Sequence, residues 1–404
     1  MLTPQFFTNN RATLRSNVGS GVIAITSNGL QQRNNDSAFE FRQDSNFFYL
    51  TGLEEPNVVL IIDCESAEEF LILPKQTTVE IFFGGVNDRD EIAIKSGITT
   101  IYSHSDGWQR YIKLQQSRSI IYTIKPDPVQ FTRQERMFTS PVRRLFLEKL
   151  KRCTSKPIVY LYDEFIALRS IKQPQEIEML KRAIAITKEG FVTIQAKMQP
   201  SMYEYEVEAE LDYVYKKHNS RHGFAPPIIA SGKNSTVLHY SKNTNVLKAG
   251  ELVLMDVGAE VENYTADVSR TYVISGAMNS RQQAVYTAVK TVHNQSINLL
   301  RPGLVWKEYI TEVERLMGEQ LLSLKLITTN TRDQIRHYFP HAVSHSLGLD
   351  THDLCDYTKP MQENMVITVE PGIYIPEEGI GVRIEDDILI TNNGAVNLSA
   401  DIPY

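Results

Sequence analysis

The sequence predicts an α+β protein of two domains. A smaller α/β domain with a mixed sheet spans residues 1–165, and a larger domain of helices on a largely antiparallel sheet spans 174–404. Three observations predict this. Short β-branched and aromatic runs bounded by Gly, Pro or Asn fill the first stretch, to about residue 160; a long segment with helical periodicity opens at Pro174; and strand patterns return at 250–275 and 364–391. A chain of 404 residues can build two or three hydrophobic cores.

In the first domain, GVIAI at 21–25, FFYLTGL at 47–53, VVLIID at 58–63, FLILP at 70–74 and IVYLY at 158–162 read as strands. SPVRRLFLEKLKRC at 140–153 has apolar side chains at helical spacing and reads as a surface helix. The boundary falls at about 163–173, just ahead of Pro174, Glu176 and Glu178. Proline suits the first helical turn, and acids favour the positive end of the helix dipole. Ile177, Leu180 and Ile184 supply that helix's apolar positions. Further helices are expected after Pro200, carrying Tyr205 through Tyr215, and over 279–300 and 306–323. ELVLMDVGAE, YTADVSRTYVI, MVITVEPGIYI and GVRIEDDILI read as the strands of the second domain.

Composition narrows the function classes. Hydrophobic residues at 42% and charged residues at 22% exclude a disordered, collagen-like or coiled-coil chain. The balance of 42 Lys+Arg against 48 Asp+Glu, with no basic tract, argues against a nucleic-acid partner. No apolar window approaches the roughly 18 residues of a membrane span, and MLTPQFFTNNRATLRSNVGSG lacks the apolar core of a secretory signal. Cys64, Cys153 and Cys355 are too widely spaced for a disulfide framework or a CxxC metal site. A cytoplasmic location is expected. Mitochondrial import is the alternative, because no acid precedes Asp36, although Arg11, Arg15 and Arg33 are sparse for a transit peptide.

The chemistry is signalled by acids placed where strands should be apolar: Asp256 in LVLMDVG, Asp267 in YTADVSRTYV, Glu370 in VITVEPG and Glu385 in GVRIEDDILI. A buried carboxylate without a partner takes up a proton or recruits a cation. Arg270 and Arg383 are the basic residues in these strands, too few to neutralise four acids. Asp256 and Asp267 lie 11 residues apart across a turn-like AEVENY, and Glu370 and Glu385 bracket PGIYIPEEGIG, so two hairpins could present four carboxylates to one cavity. Strand alternation points Arg383 and Glu385 the same way. FPHAVSHSLGLDTHD adds His341, His345 and His352, three of nine histidines within twelve residues. Asp, Asp, Glu, Glu and one His suit a pair of hard divalent ions, most readily Mn(2+), and four carboxylates with a hydroxide come near balancing two such ions. The adjacent acids Glu377-Glu378 and Asp386-Asp387 read as solvated turn or flank charges.

With those residues in view, the sequence resembles the metallopeptidase family of aminopeptidase P, prolidase and methionine aminopeptidase. STVLHY at 235–240, LMDVGAEVENYTADVSRTY, HAVSHSLGLDTHD, TVEPGIY and GVRIEDD follow the family's order. The resemblance implies a pita-bread catalytic domain, a curved antiparallel sheet covered by helices. Its metal ligands would be Asp256, Asp267, His345, Glu370 and Glu385, with His239 and His352 as the two nearby histidines. DSAFEFRQDSNFFYLTGLEEPNVVLII at 36–62 is similar to the opening of aminopeptidase P, and Ser344 before His345 is nearer aminopeptidase P than prolidase. Only 17 residues separate His352 from Glu370, a departure that leaves the substrate contacts of that loop open.

The implied function is a metal-dependent Xaa-Pro aminopeptidase, which removes the first residue from peptides with proline second, through a hydroxide activated by two metals. Glu370 would be general base and proton shuttle, and His239 and His352 would donate hydrogen bonds to the developing oxyanion or to the carbonyl ahead of it. His341 and Tyr357 would form pocket walls. Arg383 would either orient Asp256 together with the Tyr374 hydroxyl or serve as a salt-bridged strand residue. Phe82 would line the first-residue pocket, of its own or of a neighbouring subunit, or belong to the core, and Asp36 would reach another subunit's site. A homodimer or homotetramer is expected. The rivals are an Xaa-Pro dipeptidase and a non-catalytic peptide-binding member of the fold, whose mark would be lost ligands; none of the five is lost.

Overall fold

In the computed structural model, which describes residues 1–126 and 139–404, the chain divides into two units, Met1–Leu168 and Arg169–Tyr404. The strands of the first unit are β1 (Val22–Thr26), β2 (Gln32–Asn34), β3 (Ser37–Ala38), β4 (Val59–Asp63), β5 (Glu69–Ile72), β6 (Ile101–Tyr102), β7 (Ile121–Thr123) and β8 (Ile158–Tyr160). β2 and β3 form a separate hairpin, and the other six make one mixed sheet in the order β6-β5-β4-β1-β7-β8. β1 runs antiparallel to β4 and parallel to β7. Both central strands are buried at every position, which is why they read as continuous apolar runs without alternation. Helices His104–Gln116 and Pro141–Cys153 pack Trp108, Tyr111, Leu114, Phe146 and Leu150 against Val22, Ala24, Val59 and Ile61. Burying a side chain of this size contributes about 1.5–3 kcal/mol.

FFYLTGL departs from expectation. Ser45–Thr51 is a helix, capped by the Asp44 side chain, which accepts from Phe47 N, and closed by Gly52 at φ 67. Six of its seven residues are buried, so it has no polar face and its aromatic run imitates a strand. Arg11 is likewise buried, donating to Glu69 and to the carbonyls of Leu50 and Ser96. Phe82, weighed as a core residue, is 84% exposed on the short helix Thr78–Gly84.

The second unit contains β9 (Arg221–His222), β10 (Ile228–Ser231), β11 (Leu252–Val257), β12 (Ala259–Val261), β13 (Tyr264–Thr265), β14 (Val268–Val273), β15 (Val366–Val369), β16 (Gly372–Ile375), β17 (Ile380–Arg383), β18 (Asp386–Thr391) and β19 (Gly394–Asn397). Their pairings are antiparallel and fall into short sheets: β10-β11-β14, β13-β12-β9, β15-β18-β19 and β16-β17. Helices Ser280–Leu299 and Trp306–Ser323 bury Val285, Val289, Trp306 and Val313 with Ile367, Val369, Ile373, Val382 and Ile388. The AEVENY segment is more than a turn: β12 and β13 form a second hairpin, reversed at Glu262 and Asn263, both at positive φ.

The Asp386-Asp387 pair is fully buried at the start of β18, contrary to the solvated reading. The reason is long-range. Arg270, 116 positions earlier, donates to Asp386, and the backbone N–H of Asp267 donates to Asp387. Among the described residues, no helix is long and apolar enough to cross a membrane.

Candidate metal centre

β11 carries Asp256 between β10 and β14, opposite Ile228 and Ser269. Asp267 immediately precedes β14, and the chain reaches it through a tight passage: a Cβ on Gly258 would lie 1.7 Å from the Ala266 carbonyl oxygen, so glycine is required there. Glu370 sits between β15 and β16, and Glu385 between β17 and β18. Three of the four acids therefore occupy breaks between strands, where backbone freed from the ladder can be held otherwise. Glu370 N donates to Val343 O at 2.9 Å, Glu385 N to Ser269 O at 3.1 Å, and Arg270 Nη1 to Glu385 O at 2.6 Å.

His345 is held beside β15 by exchange with Thr368: Thr368 N donates to His345 O at 2.9 Å and His345 N to Thr368 Oγ1 at 3.2 Å. Its Nδ1 lies 3.2 Å from Ser346 O, a pure acceptor, so Nδ1 carries the proton and Nε2 presents its lone pair. Nε2 faces Asp267 Oδ2 at 3.5 Å and Glu370 Oε1 at 3.4 Å. Asp267, His345 and Glu385 each offer a ligand atom within 4.8 Å of the others. Glu370 joins through His345, and Asp256 through its contact with Asp267.

The electrostatics are unbalanced. Among the described residues, the guanidinium bonded to a carboxylate of this set is that of Arg383, which donates to Asp256 Oδ2 at 2.5 Å, to the Tyr374 hydroxyl at 3.0 Å and to Ser269 Oγ at 2.7 Å. Ser269 Oγ in turn donates to Glu385 Oε2 at 2.7 Å. Like charges about 4 Å apart repel by about 4 kcal/mol at an effective dielectric near 20, so one guanidinium cannot offset four carboxylates. Burial, then the neighbouring acids, raise Asp267 and Glu385 well above the usual carboxylate range. Burial pushes Glu370 up to about 7. Asp256 Oδ1 is buried without a hydrogen-bond partner. An orphaned acceptor inside an all-acceptor set of carboxylates and one imidazole lone pair fits divalent cations.

The remaining predicted residues border this set. His341 Nδ1 donates to Ala342 O at 2.7 Å and lies 3.4 Å from Glu370 Oε2, and its Nε2 accepts from the Tyr374 hydroxyl at 2.8 Å. Burial and the charge of Arg383 lower its pKa to about 3, so the ring is neutral. The His352 ring meets the His345 ring edge-on at 4.2 Å, and burial lowers its pKa to about 4. His239 is exposed on the loop after the 3-10 turn Gly232–Thr236, close enough for its charge to act on both of these rings. Tyr357 is 45% exposed; its hydroxyl accepts from Ser346 N at 3.1 Å, and its ring packs edge-on against Trp306. Sequence reasoning missed Ser269 and Thr368, which orient Glu385 and His345. The available signal was position, Ser269 lying two residues beyond Asp267 in the strand and Thr368 two before Glu370.

The family model of metallopeptidase family M24 matches residues 178–392, and that of the aminopeptidase P N-terminal domain matches residues 7–122. The chain is similar to the Xaa-Pro aminopeptidase of Escherichia coli (strain K12), with 32% identity over 403 residues, covering 92% of this chain and 88% of that one. It is also similar to Xaa-Pro aminopeptidase 3 of Rattus norvegicus, with 31% identity over 95% of this chain and 78% of that one. A solved structure of aminopeptidase P from E. coli with the inhibitor Pro-Leu matches with a TM-score of 0.89 and 30% identity, covering 100% of this chain and 96% of that one.

Proposed function

The chain belongs to metallopeptidase family M24, and from that premise we propose that it is a metal-dependent Xaa-Pro aminopeptidase, with residues 1–165 as its aminopeptidase P N-terminal domain and 174–404 as its pita-bread catalytic domain. The carrying observation is the set of four acids and His345 left short of cations. Asp256, Asp267, His345, Glu370 and Glu385 would hold two divalent ions, Mn(2+) being our choice for a set of hard donors. When bound, such ions act as Lewis acids and lower the pKa of water.

The side chains supply the rest. Glu370, facing both His345 and His341, takes the proton from the attacking water and returns it to the proline nitrogen as the C–N bond breaks. His239 and His352 donate hydrogen bonds to the developing oxyanion or to the carbonyl ahead of it. His352, neutral at ordinary pH, offers a single N–H. Arg383, itself held by the Tyr374 hydroxyl, fixes Asp256 and leaves one of its oxygens free. The peptide's free amino terminus pairs with the acids, which limits cleavage to one residue per event. His341 and Tyr357 wall the pocket for proline, whose missing N–H asks for no acceptor.

The test is hydrolysis of an Xaa-Pro-Yaa tripeptide and an Xaa-Pro dipeptide with manganese added and then chelated. Tripeptide cleavage lost on chelation supports the reading. Cleavage of the dipeptide alone would make the protein a dipeptidase, and tight peptide binding without cleavage would make it a binding protein. We further propose a cytoplasmic homodimer or homotetramer, checked by fractionation and sedimentation.

A further inference from the structure

Glu204 opens the helix Glu204–Lys217 and is completely buried. Its carboxylate accepts five hydrogen bonds, all from neutral groups. Oε1 accepts from Ser231 N at 2.8 Å, Ser231 Oγ at 2.7 Å and Asn234 Nδ2 at 3.2 Å. Oε2 accepts from the Tyr240 hydroxyl at 2.7 Å and Asn245 N at 2.9 Å. Donors converging on a buried side chain offset the cost of taking it out of water.

These donors come from the end of β10, the 3-10 turn Gly232–Thr236 and the loop that follows, the stretch that carries His239. Nothing in the loop's composition would hold an exposed histidine still. Its neighbours do: Leu238 and Tyr240 pack on the small cluster Ile228, Ala230, Leu254 and Tyr374, and the Tyr240 hydroxyl ends on Glu204. The helix start is tied back in the same place, Glu204 N donating to Asn245 O at 2.9 Å.

We propose that Glu204 is a positioning residue for His239, an inference that rests on the Xaa-Pro aminopeptidase reading given above. Each carboxylate oxygen accepts one backbone N–H, Ser231 on one side and Asn245 on the other, and neither donor can reverse its role. A glutamine of the same shape must turn its NH₂ toward one of them in either orientation, so Glu204→Gln sets donor against donor in a buried site.

The experiment compares Glu204→Gln in the native and His239→Ala backgrounds, reading kcat and KM on an Xaa-Pro-Yaa tripeptide, manganese content, and backbone amide exchange over residues 237–245. Glu204→Gln is expected to lower kcat roughly ten-fold, with metal content unchanged and exchange in the loop accelerated. In the His239→Ala background it should cost nothing further, because the group it positions is gone. An equal loss in both backgrounds overturns the proposal and leaves a general structural role. Tyr240→Phe removes one donor and should give a smaller loss with the same dependence on His239, which keeps the test open if Glu204→Gln does not fold. A wild-type chain inactive on the tripeptide would overturn the functional reading alone. The exchange measurement then still decides the anchoring, and unchanged exchange over 237–245 overturns it.

Discussion

Glu385 and Asp386 are neighbours in the chain and both are buried, yet they belong to opposite electrostatic regions. Burial favours the protonated form of each. At Asp386 it is outweighed by Arg270 at 2.7 Å, helped by His293 at 3.2 Å and by the Ser399 hydroxyl, and the carboxyl is held well below its usual range. At Glu385, Asp267, Glu370 and Asp256 add to the burial, and the carboxyl is pushed well above its usual range. The N-terminal unit repeats the first pattern. Asp63 is buried, but Arg118 donates to both of its oxygens and its pKa is lowered to about 2. The difference separates acids that complete the fold, whose cation comes from the chain, from acids that need one from outside.

The largest expected effect tests the second region directly. Glu370→Gln should lower kcat by roughly 10²–10⁴-fold while metal content stays near normal, read by steady-state kinetics beside metal analysis. Full retained activity rules out its proton-transfer role. In the first region, Arg270→Met leaves Asp386 buried without its guanidinium and should destabilise the protein by about 3–5 kcal/mol in denaturant unfolding. A loss below about 1 kcal/mol would mean the pair is not the constraint its geometry describes.

Opposite pH signs sharpen the contrast. In chelated protein the folded pKa of Glu370, about 7, exceeds its ordinary 4.5, so its contribution is present below pH 4.5 and lost as pH rises through 7. Thermal unfolding of chelated protein should therefore give a lower Tm at pH 8 than at pH 5.5, and excess manganese should remove that trend; a Tm independent of pH without metal counts against it. Asp63 has the reverse sign. Its folded pKa is depressed, so its contribution is present above about pH 4 and lost as pH falls toward 2. Asp63→Asn should flatten this acid limb, a smaller effect than the others, visible in unfolding between pH 2 and 4.

Much of this was readable from the sequence, for local reasons. An acid inside an apolar strand conflicts with its surroundings whatever the fold, so Asp256, Asp267, Glu370 and Glu385 stood out, as did the cluster of His341, His345 and His352. Helical periodicity marked Pro174–Lys197 because that helix has one buried face and one wet face. The same reasoning failed at Ser45–Thr51, which has no wet face, and at Asp386-Asp387, where two acids beside Glu385 looked like the outer edge of a turn. Glu204 gave no signal either. It lies in an acidic helical stretch, EYEVEAEL, where its neighbour Tyr205 is exposed and it is not.

By itself, then, the sequence determined which side chains had an unmet need for positive charge and in what order the chain supplies them. Tertiary structure alone decided which acids share a cavity and which meet a guanidinium, because those partners are far apart in the chain. Arg383 reaches back 127 positions to Asp256, and Ser269 reaches 116 forward to Glu385. Burial and charge pairing are properties of neighbours in space, so two adjacent residues, Glu385 and Asp386, could be assigned opposite work only once the strands had closed around them.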